Sequence, residues 1–303
     1  MSAYHIPVLL KESIDLLGVG ESGIWVDATF GGGGHSREIL SRLGKDGKLM
    51  VFDRDADALA NIPQDDRVIP VRNNFRFIDN FARYYGFRDG VDGIIADLGV
   101  SSHQFDTPDR GFSFRFGAPL DMRMNASATL TAADIVNTYS EEDLEKILRI
   151  YGEVDGSRRI AGMICSARDK SPVKTTSDLN GILAPVTPPV APHKFLAKIY
   201  QALRIEVNGE MESLRYFLEG AAECLRPGGT ICIITYHSLE DRIVKNFFRT
   251  GDIAGTEKKD IFGRRSCPFA VITKKPVLPQ ESEISGNTRA RSAKLRAARK
   301  VRE

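Results

Sequence analysis

An α/β fold on a parallel sheet, interrupted by a helical insertion, follows from three observations. Apolar runs of strand length at residues 24–28, 49–53, 68–71 and 93–100 alternate with helical segments, the pattern of linked βαβ units. Four consecutive glycines, at 31–34, separate the first run from an amphipathic segment. Beyond Met124 the apolar spacing turns helical, and a strand pattern returns only at residues 230–235.

Residues 7–17 carry helical spacing and open the chain, and the first strand follows. Glycine has no Cβ, so the 31–34 stretch lets the backbone turn sharply and approach a ligand, while the helix after it offers free N–H groups. That helix runs through Ile39, Leu40 and Leu43 and stops at Gly44; the second strand then ends in Asp53, twenty positions after Gly33. At this spacing a βαβ unit places an acid on the ribose hydroxyls of an adenine nucleoside. Dinucleotide enzymes share the arrangement, but Ser36 stands where their third glycine belongs. A nucleotide-binding oxidoreductase stays open as an alternative, as does a tight turn with no ligand.

The fourth strand ends in Asp97, followed by Ser101 and Ser102. Ligands of parallel sheets bind at such carboxyl ends. Residues 110–124 show neither period, which fits either a functional loop or a structural Ω-loop packed by its own phenylalanines. Ser140 and Asp143 read as a helix start, with Leu144, Ile147, Leu148 and Tyr151 on one face. Ile160, Met163, Ile164 and Ala167 repeat the spacing, and the proline-rich stretch 185–192 closes this part. A helix over 195–203, a long helix over 205–225, the strand 230–235 and a helix over 239–249 complete the pattern. His237, just past a strand end, is expected at the site.

The chain has 303 residues and a net charge of +2, enough length for one large domain and a smaller one. No run of eighteen apolar residues occurs, which argues against a membrane span. The N-terminus shows no signal core, and the cytoplasm is the expected location. Cys165, Cys224, Cys232 and Cys267 form no C-x-x-C pair and read as reduced core or near-core thiols; the five histidines make no ligand cluster, so no metal is expected. From Asn287 on, seven basic residues stand against one acid. Such a tail suits a phosphate backbone or a solvated helix end. No apolar stripe marks a subunit interface, so the oligomeric state stays open.

A resemblance spans nearly the whole chain. It is carried in order by His5-x-Pro7-Val8-Leu9-Leu10, the stretch from Gly31 to Ser36, Asp97-Leu98-Gly99-Val100-Ser101-Ser102, Gly111-Phe112-Ser113-Phe114, Leu120-Asp121-Met122-Arg123-Met124, Tyr200-Gln201-Ala202-Leu203-Arg204-Ile205, His237-Ser238-Leu239-Glu240-Asp241-Arg242 and Arg289-Ala290-Arg291-Ser292. Together these motifs resemble the bacterial 16S rRNA (cytosine(1402)-N(4))-methyltransferase family. The resemblance implies a class I (Rossmann-like) methyltransferase sheet over 1–127 and 203–303, with an inserted all-α domain over 128–202. It implies methylation of the exocyclic N4 amine of one cytidine in the decoding region, with S-adenosyl-L-methionine as cofactor and 16S rRNA or the small ribosomal subunit as partner. The family's cofactor contacts fall on Gly33, Gly34, His35, Asp53, Phe75, Asp97 and Gln104. The chain departs from the family at Gly209-Glu210-Met211 and at Thr288.

The chemistry asks mainly for positioning, since a sulfonium is already a strong methyl donor. Cytosine's amine is a poor nucleophile, and an acceptor for one of its protons favours attack. Asp97, or a carbonyl just after it, is the expected acceptor; a purely cofactor-binding Asp97 is the other reading. The cytidine must also leave its stack, and Arg115, Arg123, Arg204 and the tail arginines are candidates for the phosphate contacts this needs. A non-catalytic RNA-binding assembly factor is the remaining alternative.

Overall fold

A computed structural model describes residues 7–100, 107–115, 117–257 and 267–301. In chain order its helices and strands are α1 Leu10–Leu17, β1 Ile24–Asp27, α2 Gly34–Arg42, β2 Lys48–Asp53, α3 Ala56–Leu59, β3 Val68–Arg72, α4 Ile78–Tyr84, β4 Val91–Asp97, α5 Ala132–Thr138, α6 Glu141–Ile150, α7 Ser157–Arg168, α8 Thr176–Leu183, α9 Pro192–Asn208, α10 Glu210–Cys224, β5 Leu225–Thr235, α11 Ser238–Thr250, β6 Phe269–Val271, α12 Glu281–Gly286 and β7 Lys294–Lys300. The chain divides into two compact units, residues 1–99 with 211–303, and residues 100–210.

The first unit holds a seven-stranded sheet in the order β3-β2-β1-β4-β5-β7-β6. Strands β1 to β5 pair in parallel and β7 runs antiparallel to both β5 and β6. This is the expected class I methyltransferase sheet. Because successive side chains alternate between faces, each strand feeds two cores. Trp25, Leu49, Val51, Ile95, Cys232 and Ile234 join α1 and α2 on one face. Val26, Met50, Phe52, Ile94, Ile231 and Ile233 join α4, α10 and α11 on the other. Buried on both sides, these strands read as continuous apolar runs.

The second unit is helical around its own core, with Ile135, Leu144, Leu148, Ile164, Leu179, Ile199 and Leu203 almost fully buried. The expected boundaries at 127/128 and 202/203 need correction. The 107–124 stretch belongs to the helical unit: Phe112, Leu120, Met122 and Met124 are buried in that core, and Leu120 N–H donates to the Lys174 carbonyl at 2.9 Å. It packs on the helices and not on its own phenylalanines, the Phe114 ring lying against His193 and Tyr200. Helix α9 belongs there as well, through Ile199, Tyr200, Ala202 and Leu203.

Three local expectations also change. The first helix begins at Leu10, not residue 7, because Leu9 takes a left-handed conformation with φ of 51°. The expected helix over 205–225 is two helices, divided at Gly209 with φ of 57°. The basic tail is neither a free arm nor a helix end: residues 294–300 form β7, inside the sheet. Among the described residues no helix is long and apolar enough to cross a membrane. All four cysteines are free, Cys224 and Cys232 being buried.

Candidate active site

Strand register brings one row of polar side chains to the carboxyl end of the sheet. Asp27 lies two residues past the core residue Trp25, Asp53 two past Val51, Asp97 two past Ile95 and Tyr236 two past Ile234. Alternation therefore turns all four toward the α1/α2 face. Asp27 pairs with Val51 and with Ile95, so Asp53 and Asp97 stand one pleat beyond it on either side. Asp97 in turn pairs with Ile234, and Tyr236 follows at the end of β5.

Hydrogen bonds tie the row together. Ser36 Oγ donates to Asp27 Oδ2 at 2.6 Å and Thr29 N–H to Asp27 Oδ1 at 3.1 Å. The serine standing in place of a third glycine thus serves a buried carboxyl. Asp97 N–H donates to Thr29 Oγ1 at 2.6 Å, linking the ends of β1 and β4. Asp53 accepts from the Gly31 N–H and the Asp55 N–H, both at 2.9 Å. Tyr236 Oη donates to Asp97 Oδ1 at 2.7 Å.

Burial dominates the titration of these acids. It pushes Asp27 up to about 6 against the opposing Ser36 and Thr29 bonds, with Asp53 adding repulsion. Asp53 is raised by burial despite its backbone donors, and Asp55 adds to the rise. Burial pushes Asp97 up to about 7; the Tyr236 bond opposes this, and Asp27, Glu240 and Glu283 reinforce it. A site whose carboxyls are raised by burial and by one another favours a ligand carrying positive charge. It disfavours the pyrophosphate of a dinucleotide.

The glycine bend behaves as its sequence suggests. Gly33 is the left-handed N-cap of α2 with φ of 73°, and a Cβ there would meet the Phe30 ring at 2.6 Å. Gly34 packs on Pro7, whose ring would lie 2.5 Å from an added Cβ. His35 is buried with Nε2 3.2 Å from the Val8 carbonyl, and burial lowers its pKa to about 4. Its neutral ring thus anchors the N-terminal segment and leaves its main chain facing the bend. Phe75 starts the 3₁₀ turn Phe75–Phe77 after β3, half-buried, its ring edge-on to Phe217 with centroids 5.1 Å apart. Gln104, Ser101 and Ser102 lie outside the described residues.

Other expected site residues have structural partners. His237 is the N-cap of α11 in a capping box with Glu240. Arg123 bonds Asp121 at 2.6 and 2.8 Å, and Arg204 bonds Glu210 at 2.8 Å through two nitrogens. Sequence reasoning missed Asp27, Thr29 and the Tyr236–Asp97 bond. The signal for Asp27 was present, a carboxylate closing an apolar strand in step with Asp53 and Asp97.

A family model described as the MraW methylase family matches residues 2–301. The chain is 52% identical over 300 residues to a ribosomal RNA small subunit methyltransferase H of Parabacteroides distasonis, covering 99% of this chain and 98% of that protein. It is 53% identical over 299 residues to the protein of that name from Bacteroides fragilis, covering 99% and 98%. The Flavobacterium johnsoniae protein of that name is 51% identical over 298 residues, covering 98% of each. A match of this extent, on a sheet of methyltransferase order with an acidic carboxyl end, places the chain in the MraW methylase family.

Proposed function

We propose that this chain methylates the exocyclic N4 amine of a cytidine in the decoding region of 16S rRNA, with S-adenosyl-L-methionine as methyl donor. The observation that carries the reading is the row Asp27, Asp53 and Asp97 at the carboxyl end of a class I sheet, an acidic cleft suited to a cationic nucleoside. When bound, the cofactor supplies a methyl group activated by positively charged sulfur. Asp53, still anchored by the Gly31 N–H, takes the ribose hydroxyls. The residues that would hold the nucleoside are the main chain at Gly33, Gly34 and His35, with the Phe75 ring for the adenine and Gln104 completing the set that the family resemblance implies. Asp97 faces the methyl-transfer point, where it takes a proton from the amine.

The RNA partner needs cations that are not already committed. Lys245, Arg249 and Lys274 line a cavity of about 310 Å³ with Phe248 and Val271 beside them, and they have no acid partner among the described residues. They suit phosphates of a large folded substrate. The cytoplasm, where ribosomal subunits are made, is the location that follows.

The test is transfer of labelled methyl from S-adenosyl-L-methionine to small subunits lacking the modification, with the product mapped. Label at a single cytidine N4 is expected; no incorporation into any assembly intermediate favours the non-catalytic assembly factor. Calorimetry with the methyl donor against NAD separates the oxidoreductase, and binding of the donor alone is expected.

The bend supplies its own check. A Gly33→Ala substitution imposes a left-handed cost of about 1 to 2 kcal/mol and drives a methyl group into Phe30. A lower Tm and at least about tenfold weaker cofactor binding by calorimetry are expected.

A further inference from the structure

We propose that Tyr236 is a positioning residue for methyl transfer: its phenol holds one oxygen of Asp97 so that the other is presented to the acceptor amine. This rests on the reading of Asp97 as the group that receives the amine proton.

The geometry is fixed from three directions. Tyr236 Oη donates to Asp97 Oδ1 at 2.7 Å. The Asp97 main chain is held by the 2.6 Å bond from its N–H to Thr29 Oγ1. The Tyr236 main chain is held in turn, its N–H donating to Glu240 Oε2 at 2.8 Å at the start of α11. Asp97 Oδ2 has no hydrogen-bond partner among the described residues. A carboxylate with both oxygens free samples a broad χ2 range, and one short bond from a phenol removes that freedom. As the bond from N4 to the methyl carbon forms and the carbon–sulfur electron pair stays on sulfur, the proton leaving N4 goes to Asp97 Oδ2.

Tyr236 also sets the pH at which Asp97 is ready to accept. The charged groups acting on Asp97 are Asp27 at the end of β1, Glu240 on α11 and Glu283 on α12, and each opposes its ionisation. Burial opposes it too, and the Tyr236 bond is the interaction that favours the charged form. Glu283 is held in place by accepting from the Leu9 N–H at 2.7 Å. Without the phenol, Asp97 keeps its proton to a higher pH.

The test uses the full-length Tyr236→Phe variant, which keeps the ring and loses the donor. The acid limb of kcat against pH is expected to move up by about one unit, lowering the rate about tenfold at pH 6 and leaving it near wild type at pH 9. A second readout needs no turnover: carbon-13 NMR titration of the Asp97 carboxyl in cofactor-free protein, its resonance assigned by Asp97→Asn, is expected to show the same upward shift. Site-specific 3-fluorotyrosine at 236, a stronger donor, is expected to move both downward. Loss of activity equal at every pH, or an unmoved Asp97 titration, overturns the proposal and leaves Asp97 as base untouched. An Asp97→Asn enzyme with the wild-type rate removes the base itself and the positioning role with it.

Discussion

An Asp97→Asn variant is expected to lose methyl transfer by about 10²- to 10⁴-fold, the usual contribution of a positioned proton acceptor, with its fold intact. Asparagine still accepts from the Tyr236 phenol, so the end of β4 stays in place. Its neutral amide takes no proton from the amine, which separates the base from a purely cofactor-binding aspartate. Cofactor affinity by calorimetry is the control: a rate that falls in step with affinity assigns Asp97 to binding alone.

Stability supplies a second signature of the same variant. The folded chain holds protons on Asp27 and Asp97, up to about 6 and about 7, that the unfolded chain has released near the ordinary carboxyl value of 3.8. More protons bound in the folded state means that each of these groups makes stability fall as pH rises through that window. His35, lowered from 6.5 to about 4, works the other way and adds stability as pH rises between those values. Up to about pH 6 the two carboxyls outnumber the one histidine, so His35 reduces the decline without cancelling it. The decline from there to about pH 7.5 belongs to Asp97, with Asp53 acting in the same sense. Chemical denaturation at a series of pH values should therefore show a wild-type decline that Asp97→Asn largely flattens, and the variant should be the more stable protein at pH 8.

The parts of this site that sequence made legible are those built from short-range pattern. A run of strand, glycines, helix, strand and acid placed the bend, Asp53 and Asp97, because strand alternation and βαβ geometry act over a few tens of residues. The helical insertion was legible for the same reason. Its limits were not, since Phe112 and Met122 join the helical core through contacts with distant helices that no local period encodes. Arg123 and Arg204 show the same limit: a basic side chain looks equally available until its acid partner, Asp121 or Glu210, is located. His237 carried a positional signal for the site, yet its ring caps α11. The neighbouring Tyr236, which reaches Asp97, had only its alternation phase to mark it.

The tail is where local pattern misled most, and it yields the largest expected effect on folding. A chain ending at Ala293 is expected not to fold. Seven basic residues in a short segment suggest a phosphate-binding tail or a solvated helix end, but β7 buries four residues in succession, Leu295 to Ala298, one of them an arginine. Leu295, Ala297 and Ala298 are fully buried, and residues 294–299 pair with all of Thr230 to Thr235 on β5. On its other side β7 carries β6, so its loss strands one partner and leaves a long apolar edge on the other. Arg296 is itself buried, bonding Asp241 at 2.6 and 3.2 Å. An Asp241→Ala change leaves that guanidinium unpaired, at a cost of about 3 to 5 kcal/mol, whereas replacing the pair by leucine and methionine should recover most of the loss. Circular dichroism and solubility of the shortened chain decide the matter. A truncated protein that melts cooperatively and is merely weaker on RNA would return the segment to the role of a phosphate-binding arm.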